Sequence, residues 1–347
     1  MKNNELKIKL LQSLKNDIIR YKPNNIELVA SGRTSIDFAI KDIIQDKKNV
    51  KKALLPNYIC DSMIEPFEKN SISYDFYSIE FNNGKFVANF DEISSDNYDV
   101  IMICDYFYHD KDLYESIANI KNKDASIIHD ATHTLFSNNT TFSKDDYIVC
   151  SLRKWFVTTD GGLVIKNGTF NIDGKDEHSK YIYYKTKSRE YKSLYYNGEN
   201  TNDIKKKYKL YSELAEKCLE KDFSLYGMSS ETEKKLLNID FEGEMKERQK
   251  YYELIKTKIS SSSIIHNLDG TTMDNCLFTL PIIVDKNRDK VLELLYDNRI
   301  RCAILWEPTD KNKNTNNEFI SKSICLDMTE DTNKKIDKVL KKVKEMR

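Results

Sequence analysis

The chain has 347 residues, of which 39% are hydrophobic and 32% are charged, so it is long enough for a large domain and a smaller companion. Its 55 basic residues balance its 55 acidic residues, which argues against nucleic acid or an anionic membrane as a partner. The seven cysteines form no CxxC pair and no metal-like cluster. We therefore expect reduced thiols in a cytoplasmic protein.

The first element is expected to be an amphipathic helix that ends near Pro23. Its apolar positions lie among lysines and are Leu6, Ile8, Leu10, Leu11, Leu14, Ile18 and Ile19. This segment lacks the continuous apolar run of a secretion signal, and no later stretch has the length and apolarity needed to span a bilayer.

From residue 27 to about 165, short apolar runs alternate with helical stretches, a pattern that predicts a mostly parallel sheet covered on both faces. The strands are predicted at residues 52–55, 72–77, 100–104, 126–129, 147–150 and 162–165, and the helices at 34–45, 61–70 and 113–122. In such a sheet, ligands bind beyond the carboxyl ends of the strands. The residues that follow each strand are therefore the candidates for function.

The remainder of the chain predicts a helical connector and a second domain. Residues 166–225 contain a polar loop at 168–180 and helical periodicity at 208–219. A long helical pattern from about residue 244 leads to strands near 276–284 and 302–305 and to a last helix at 333–346. We therefore predict a large α/β domain at 1–243, connector included, and a small α+β domain at 244–347.

The segment Ala-Ser-Gly-Arg-Thr-Ser at 30–35 is predicted to begin a helix. Gly32 permits a tight turn, and the free N–H groups that follow, at Arg33 and Thr34, favour a phosphate. The same pattern is also that of an ordinary helix N-cap. The segment by itself leaves both interpretations open.

An acidic residue, Asp130, follows the apolar run at 126–129 directly. A carboxylate here can pair with the protonated pyridine nitrogen of a cofactor and keep its ring an electron sink. His133 lies three residues later, close enough to contact the same ring at its phenolic oxygen. Alternatively, Asp130 caps a turn and His133 is a core histidine.

A lysine, Lys154, follows the next strand in the segment Cys-Ser-Leu-Arg-Lys-Trp at 150–155. Apolar and aromatic surroundings favour the neutral amine, the form that attacks an aldehyde. Ser151 could donate its hydroxyl to a cofactor phosphate, whereas Arg153 and Lys154 could also be two solvated charges. A glycine turn at 159–162, Thr-Asp-Gly-Gly, then leads into a further strand.

Taken together, these segments resemble the DegT/DnrJ/EryC1/StrS group of sugar aminotransferases, which are fold type I enzymes that use pyridoxal 5′-phosphate. The similarity extends to Leu-Pro-Asn-Tyr-Ile-Cys at 55–60, which resembles the stretch below the cofactor ring, and to 301–306, which resembles a strand beside the substrate pocket. It covers roughly residues 27–330. The resemblance implies an aspartate-aminotransferase-like α/β fold.

The resemblance also implies roles for individual residues. Lys154 would hold the cofactor as a Schiff base, Asp130 would act with it in catalysis, and His133 would tune the ring. The other implied cofactor-binding residues are Gly32, Arg33, Thr34, Ser151 and Cys60.

The sequence departs from the family pattern at three places. Cys60 occupies the position of the ring-stacking aromatic, so either Tyr58 or Cys60 faces the ring. There is no Asn-x-Arg element in the middle of the chain, and Leu-Asp-Met-Thr-Glu at 326–330 replaces the usual Asp-Gln-Arg-Tyr. These departures bear on the substrate and leave the cofactor assignment unchanged.

The implied reaction is transfer of an amino group from an amino acid such as glutamate to a nucleotide-linked keto sugar, in amino-sugar or surface-polysaccharide biosynthesis. Decarboxylation, elimination or dehydration would use the same cofactor, although the dehydratases of this group carry histidine at the position of Lys154. A non-catalytic binding protein that keeps the fold is the third possibility. A homodimer is expected. The candidate for completing the partner's site is the tyrosine-rich stretch 181–196, with Lys185, Lys187, Arg189 and Lys192, and the alternative for this stretch is a solvated helix face.

Overall fold

The computed structural model describes residues 2–14, 22–91, 93, 98–121, 124–137, 140–142, 144–198, 201–268, 278–312 and 317–345. The first part of the chain contains α1 (Lys2–Ser13), β1 (Ile26–Val29), α2 (Gly32–Lys47), β2 (Lys52–Pro56), α3 (Asp61–Lys69), β3 (Ser73–Asn82), β4 (Lys85–Asn89), β5 (Val100–Cys104), α4 (Lys111–Ala118), β6 (Ser126–Asp130), β7 (Tyr147–Cys150) and β8 (Gly162–Lys166). The middle contains β9 (Lys175–Glu177), α5 (Ser179–Tyr196), α6 (Asn202–Lys221), β10 (Tyr226–Gly227) and α7 (Ser230–Leu237). The last part contains α8 (Phe241–Ile259), β11 (Ile265–Asn267), β12 (Leu280–Val284), α9 (Arg288–Asp297), β13 (Cys302–Ala303), α10 (Asn317–Lys322), β14 (Ser323–Leu326) and α11 (Glu330–Glu345).

The large sheet has ten strands in the order β4-β3-β2-β5-β6-β7-β8-β1-β10-β9. Strands β3, β2, β5, β6 and β7 are parallel, and β8 runs antiparallel to both β7 and β1. The carboxyl ends of β5, β6 and β7 therefore share one edge with the start of β8. The predicted, mostly parallel sheet is confirmed, and its functional edge is formed by the loops after these strands.

The core of this sheet consists of strands that are apolar on both faces, as expected when helices cover each side. All five residues of β5 are buried, and so are the four residues of β7 and the five of β8. Helix α2 packs against β7 and β8, which places its first turn at the functional edge. Helix α1 buries Leu6, Leu10, Leu11 and Leu14.

Several elements were missed or misjudged from the sequence. Strand β3 extends to Asn82 and turns through Asn83 and Gly84 into β4, a hairpin that was not predicted. Strands β1, β9, β10, β11 and β14 were also not predicted. Ile8, placed on the apolar face of the first helix, is 45% exposed, whereas Ile18 and Ile19 lie outside the described residues. The predicted connector consists of two helices, α5 and α6, that pack along each other.

The carboxyl-terminal part contains a second sheet, in the order β11-β12-β14-β13, whose paired strands are all antiparallel. Helix α11 packs against α8 and α9 on this sheet, which agrees with the predicted small α+β unit. The predicted boundary at 243/244 falls within the first turn of α8. Within the described part of the chain, no helix combines the length and apolarity needed to cross a membrane.

Candidate active site

The start of α2 and the loop after β7 form a small cradle. Ser31 caps α2, since its Oγ accepts the Thr34 N–H at 3.1 Å, so the N-cap interpretation of this segment is correct. A Cβ added to Gly32 would lie 2.9 Å from the Cβ of Ser151, so only glycine leaves this space open. The Ser151 Oγ is buried and has no hydrogen-bond partner among the described residues. A hydroxyl beside the free N–H groups of a helix N-terminus suits an oxyanion.

The Arg33 side chain is directed to carboxylates. Its Nε lies 3.1 Å from an oxygen of Glu65, and its guanidinium lies 3.6 Å from Glu216. The guanidinium also lies over the ring of Phe223. What Arg33 can offer to the cradle is therefore its backbone N–H, because its charge is already paired.

Asp130 and Lys154 both lie at the functional edge. One oxygen of Asp130 accepts the Thr132 N–H at 2.8 Å, while burial raises the pKa of the carboxyl against the opposing effects of Thr132 and Lys154. The Thr132 hydroxyl in turn accepts the Ser151 N–H at 3.0 Å, which ties the two loops together. The Lys154 ammonium has no hydrogen bond or ion pair to any described residue. Lys154 is exposed, so the expected apolar and aromatic surroundings of this lysine are not found.

His133 is fixed in position and in tautomer. Its ring stacks between Phe278 at 4.2 Å and Trp306 at 5.1 Å, measured between ring centroids. Its Nδ1 accepts the Phe107 N–H at 3.0 Å, and burial, aided by the charge of Lys154, lowers its pKa well below the ordinary value. A neutral ring that accepts at Nδ1 carries its proton on Nε2. Nε2 is buried and has no partner among the described residues, so this N–H can donate to a ligand.

The structure distinguishes between the two residues considered for the face of the ring. Tyr58 is fully buried and packs against Tyr106 at 5.2 Å and Trp306 at 4.8 Å, as part of the aromatic core. Cys60 is only partly buried and stands just before α3, where its Sγ lies 3.1 Å from the Ser62 hydroxyl. Of the two side chains, that of Cys60 is the one with surface left to offer.

A buried ionic network lies beside Asp130. His129 lies between Asp105 at 3.0 Å and Asp145 at 2.7 Å, and Asp105 also contacts Nδ1 of His109 at 3.0 Å. Burial opposes a charge on His129, but the two carboxylates outweigh it and raise its pKa to about 10. Asp105 donates its backbone N–H to the Asp130 carbonyl, so the network is attached to the site.

Three members of this network, Asp105, His109 and His129, are close enough to share a metal ion. However, Nε2 of His109 accepts the Thr141 N–H at 3.4 Å, which places the proton on Nδ1, the atom that faces Asp105. A protonated nitrogen is not a metal ligand. Hydrogen bonds and charge therefore account for this cluster.

The glycine turn before β8 borders the site. Asp160 accepts both the N–H and the hydroxyl of Ser229 at 2.7 Å, and so fixes the turn to the start of α7. Gly161 has φ +130°, and a Cβ on Gly162 would overlap the Ser31 carbonyl. Asp160 thus has a structural role.

A cavity of about 790 Å³ opens over Lys154. The cationic side chains that line it include Arg189 and Lys192 of α5, Arg248 of α8, and Arg301, which precedes β13. The sequence identified the 301–306 segment as lying beside a substrate pocket, but it gave no indication of Arg248, which is one charge among many in a charged helix. The size of the cavity suits a small-molecule ligand of roughly 300–1,000 Å³.

No family model matches the sequence, and no curated protein matches it significantly. Solved structures nevertheless share its fold. The aminotransferase TlmJ of Streptoalloteichus hindustanus is 9% identical with a TM-score of 0.66, over 100% of this chain and 91% of that one. Spr1654 of Streptococcus pneumoniae, assigned as a sugar aminotransferase and solved in its PLP form, is 14% identical with a TM-score of 0.67, over 100% and 92%.

PseC of Helicobacter pylori, an aminotransferase in pseudoaminic acid biosynthesis, is 12% identical with a TM-score of 0.67, over 100% of this chain and 92% of that one. At such identities the likeness shows the fold alone. The chain has the fold type I architecture of these aminotransferases, and the fold class predicted from the sequence is confirmed.

Proposed function

We propose that the protein is an aminotransferase that uses pyridoxal 5′-phosphate bound to Lys154. The observation that carries this proposal is the position of Lys154. It is an amine without an ion-pair partner, at the mouth of a cavity, on the loop next to the buried carboxyl of Asp130. Two further buried groups without partners, Ser151 Oγ and His133 Nε2, belong to the same two loops.

These residues fit the polar groups of the cofactor. The Gly32 cradle, with Ser151 Oγ and the N–H groups at Gly32 and Arg33, would hold the phosphate. The N–H of Thr34, which the sequence also suggested, is already donated to the Ser31 hydroxyl. The buried Asp130 carboxyl would pair with the pyridine nitrogen, and such a partner offsets the cost of ionising a buried acid. His133 Nε2–H would donate to the phenolic oxygen. Cys60 would lie against one face of the ring.

When bound, the cofactor supplies an electron sink for the bonds at the substrate carbon. The chain itself supplies the groups that hold and move protons. Lys154 would hold the cofactor covalently, and its amine would carry a proton to or from the substrate carbon. Asp130 would keep the ring nitrogen protonated, and the stacked, neutral His133 would act as a hydrogen-bond donor. Transfer of an amino group requires each of these roles.

The substrates we propose are an amino acid donor, such as glutamate, and a nucleotide-linked keto sugar in amino-sugar or surface-polysaccharide biosynthesis. The fold shared with Spr1654 and PseC supports this choice. The protein would act in the cytoplasm as a homodimer. Its ligands would be small molecules, and it would bind neither nucleic acid nor a membrane.

The spectrum of the purified protein tests this proposal. We expect a yellow protein whose visible band falls when glutamate is added and returns when a keto acid is added, because the amino group is then passed on. Lys154→Ala should lack the band, whereas Lys217→Ala, an exposed lysine paired with Glu213, should keep it. A colourless wild-type protein would favour a binding role, and release of carbon dioxide or ammonia from the donor would favour another reaction of the same cofactor.

A further inference from the structure

Three cations line the cavity beside Lys154 without an ion-pair partner among the described residues, although the carboxylates of Glu244 and Asp327 line the same cavity. They are Arg189 and Lys192 of α5, and Arg301 just before β13. Among the described residues, none of the three side chains forms a hydrogen bond or an ion pair. The Nε atom of Arg189 is buried and has no hydrogen-bond partner among the described residues.

Other cations in this part of the molecule are satisfied by neighbouring acceptors. Arg33 lies between Glu65 and Glu216, and Lys185 lies 3.6 Å from Glu216. Arg153 donates to the Tyr181 hydroxyl. The absence of partners for the three cavity cations is therefore a local property, and it does not reflect a general shortage of acids.

The three cations also repel one another. Burial lowers the pKa of Lys192, and the charges of Arg301 and Arg189 lower it further against the weaker effect of Asp327. The ring of Tyr196 lies under both Arg301 at 5.2 Å and Lys192 at 6.0 Å, which holds the two side chains on the same side of α5. Like charges gathered in a cavity are stabilised by an anion that enters it.

We propose that Arg189, Lys192 and Arg301 form a subsite for an oxyanion group of the acceptor that carries two or more negative charges. Such a group is either the diphosphate of a nucleotide-linked sugar or a pair of carboxylates. All three side chains belong to the same chain as Lys154. The sequence had suggested instead that stretch 181–196 completes the site of the partner subunit. This inference rests on the proposed function only for the role of Lys154.

The subsite is separate from the phosphate cradle. The cradle consists of Gly32 and Ser151, which meet at the start of α2. The subsite consists of α5 and the segment before β13. Substitutions in the subsite should therefore change the affinity for the acceptor's anion and leave the affinity for the cofactor unchanged.

Calorimetric titration of the holoenzyme with uridine diphosphate, glutarate and uridine tests the subsite. We expect at least one of the two anions to bind more tightly than uridine. Arg189→Gln, Lys192→Gln and Arg301→Gln should each weaken the binding of that anion roughly tenfold. This is the lower end of the range expected for a hydrogen bond to a charged group. Lys192→Arg, which keeps the charge, should stay close to wild type. The control is Lys217→Gln, on the neighbouring helix α6 and paired with Glu213 at 2.8 Å, and it should have no effect.

The two anions separate the two sources of charge. If the glutamine variants lose affinity for uridine diphosphate, the subsite binds a diphosphate. If they lose affinity for glutarate, it binds carboxylates. The proposal is overturned if both anions bind all three glutamine variants as they bind wild type, if neither binds better than uridine, or if the variants lose cofactor affinity instead. The visible band, recorded on the same samples, reports the proposed function independently, because anion binding needs no catalysis.

Discussion

The Ser151 hydroxyl provides a test in which cofactor affinity and protein stability respond differently to one substitution. In the structure its Oγ is buried and lacks a hydrogen-bond partner among the described residues. Ser151→Ala therefore removes no hydrogen bond from the protein without cofactor, and we expect that form to be no less stable than wild type. With the cofactor, the variant loses one hydrogen bond to a phosphate. Such a bond contributes about 1.5–3 kcal/mol, so the dissociation constant should rise about 10- to 150-fold.

Ser35→Ala is the matched control. Ser35 lies in the first turn of the same helix, but its Oγ donates to the Ser31 carbonyl at 3.0 Å. Its loss should lower the free energy of unfolding by about 1 kcal/mol and leave cofactor affinity unchanged. Fluorescence titration with the cofactor, and thermal melting without it, measure the two quantities. The reasoning is refuted if Ser151→Ala binds the cofactor as tightly as wild type, or if it destabilises the cofactor-free protein as Ser35→Ala does.

Three further predictions concern other parts of the account. Asp130→Asn should still bind the cofactor but lose turnover, since an amide does not hold a proton on the ring nitrogen as a carboxylate does; near-normal turnover would remove its assigned role. His129→Gln should destabilise the fold by about 3–5 kcal/mol at neutral pH, because Asp105 and Asp145 lose their buried cation. Folding raises the pKa of His129. The charged ring therefore stabilises the fold fully at pH values below the pKa of histidine in the unfolded chain, and this stabilisation disappears as the pH rises through about 10. A melting difference between wild type and variant that stays constant up to that pH would contradict this. Finally, sedimentation should give about twice the chain mass of 40.7 kDa, whereas a fully active monomer would rule out the homodimer.

The sequence predicted the strands of the large sheet best where they are buried on both faces. Strands such as β5 and β7 are continuous apolar runs, and only the middle of a covered sheet produces such runs. Strands β1, β9, β10 and β14 have only two to four residues, so they offer too few positions for a period to be recognised. In the hairpin of β3 and β4, eight of the ten residues of β3 are exposed or only partly buried, so the apolar signal of a covered strand is weak.

The residues of the site were predictable where they follow strands in the sequence. Asp130 is the last residue of β6, and His133, Ser151 and Lys154 lie in the loops after β6 and β7, at the same edge of the sheet. The aromatic residues around His133 were not predictable, because Phe278 and Trp306 come from the distant carboxyl-terminal part and meet it only through tertiary packing. The same holds for the surroundings of His129, whose two carboxylates lie 24 positions before it and 16 after it.

The attachment of the cofactor to Lys154 is the central claim, and borohydride reduction of the holoenzyme followed by peptide mapping tests it most directly. Lys185 is the most informative competitor, because burial and the charge of Arg153 lower its pKa to about 8, which favours the reactive neutral amine. The account predicts that the reduced cofactor is found on the peptide containing Lys154 and on no other. A label on Lys185, or on any other lysine, would contradict it.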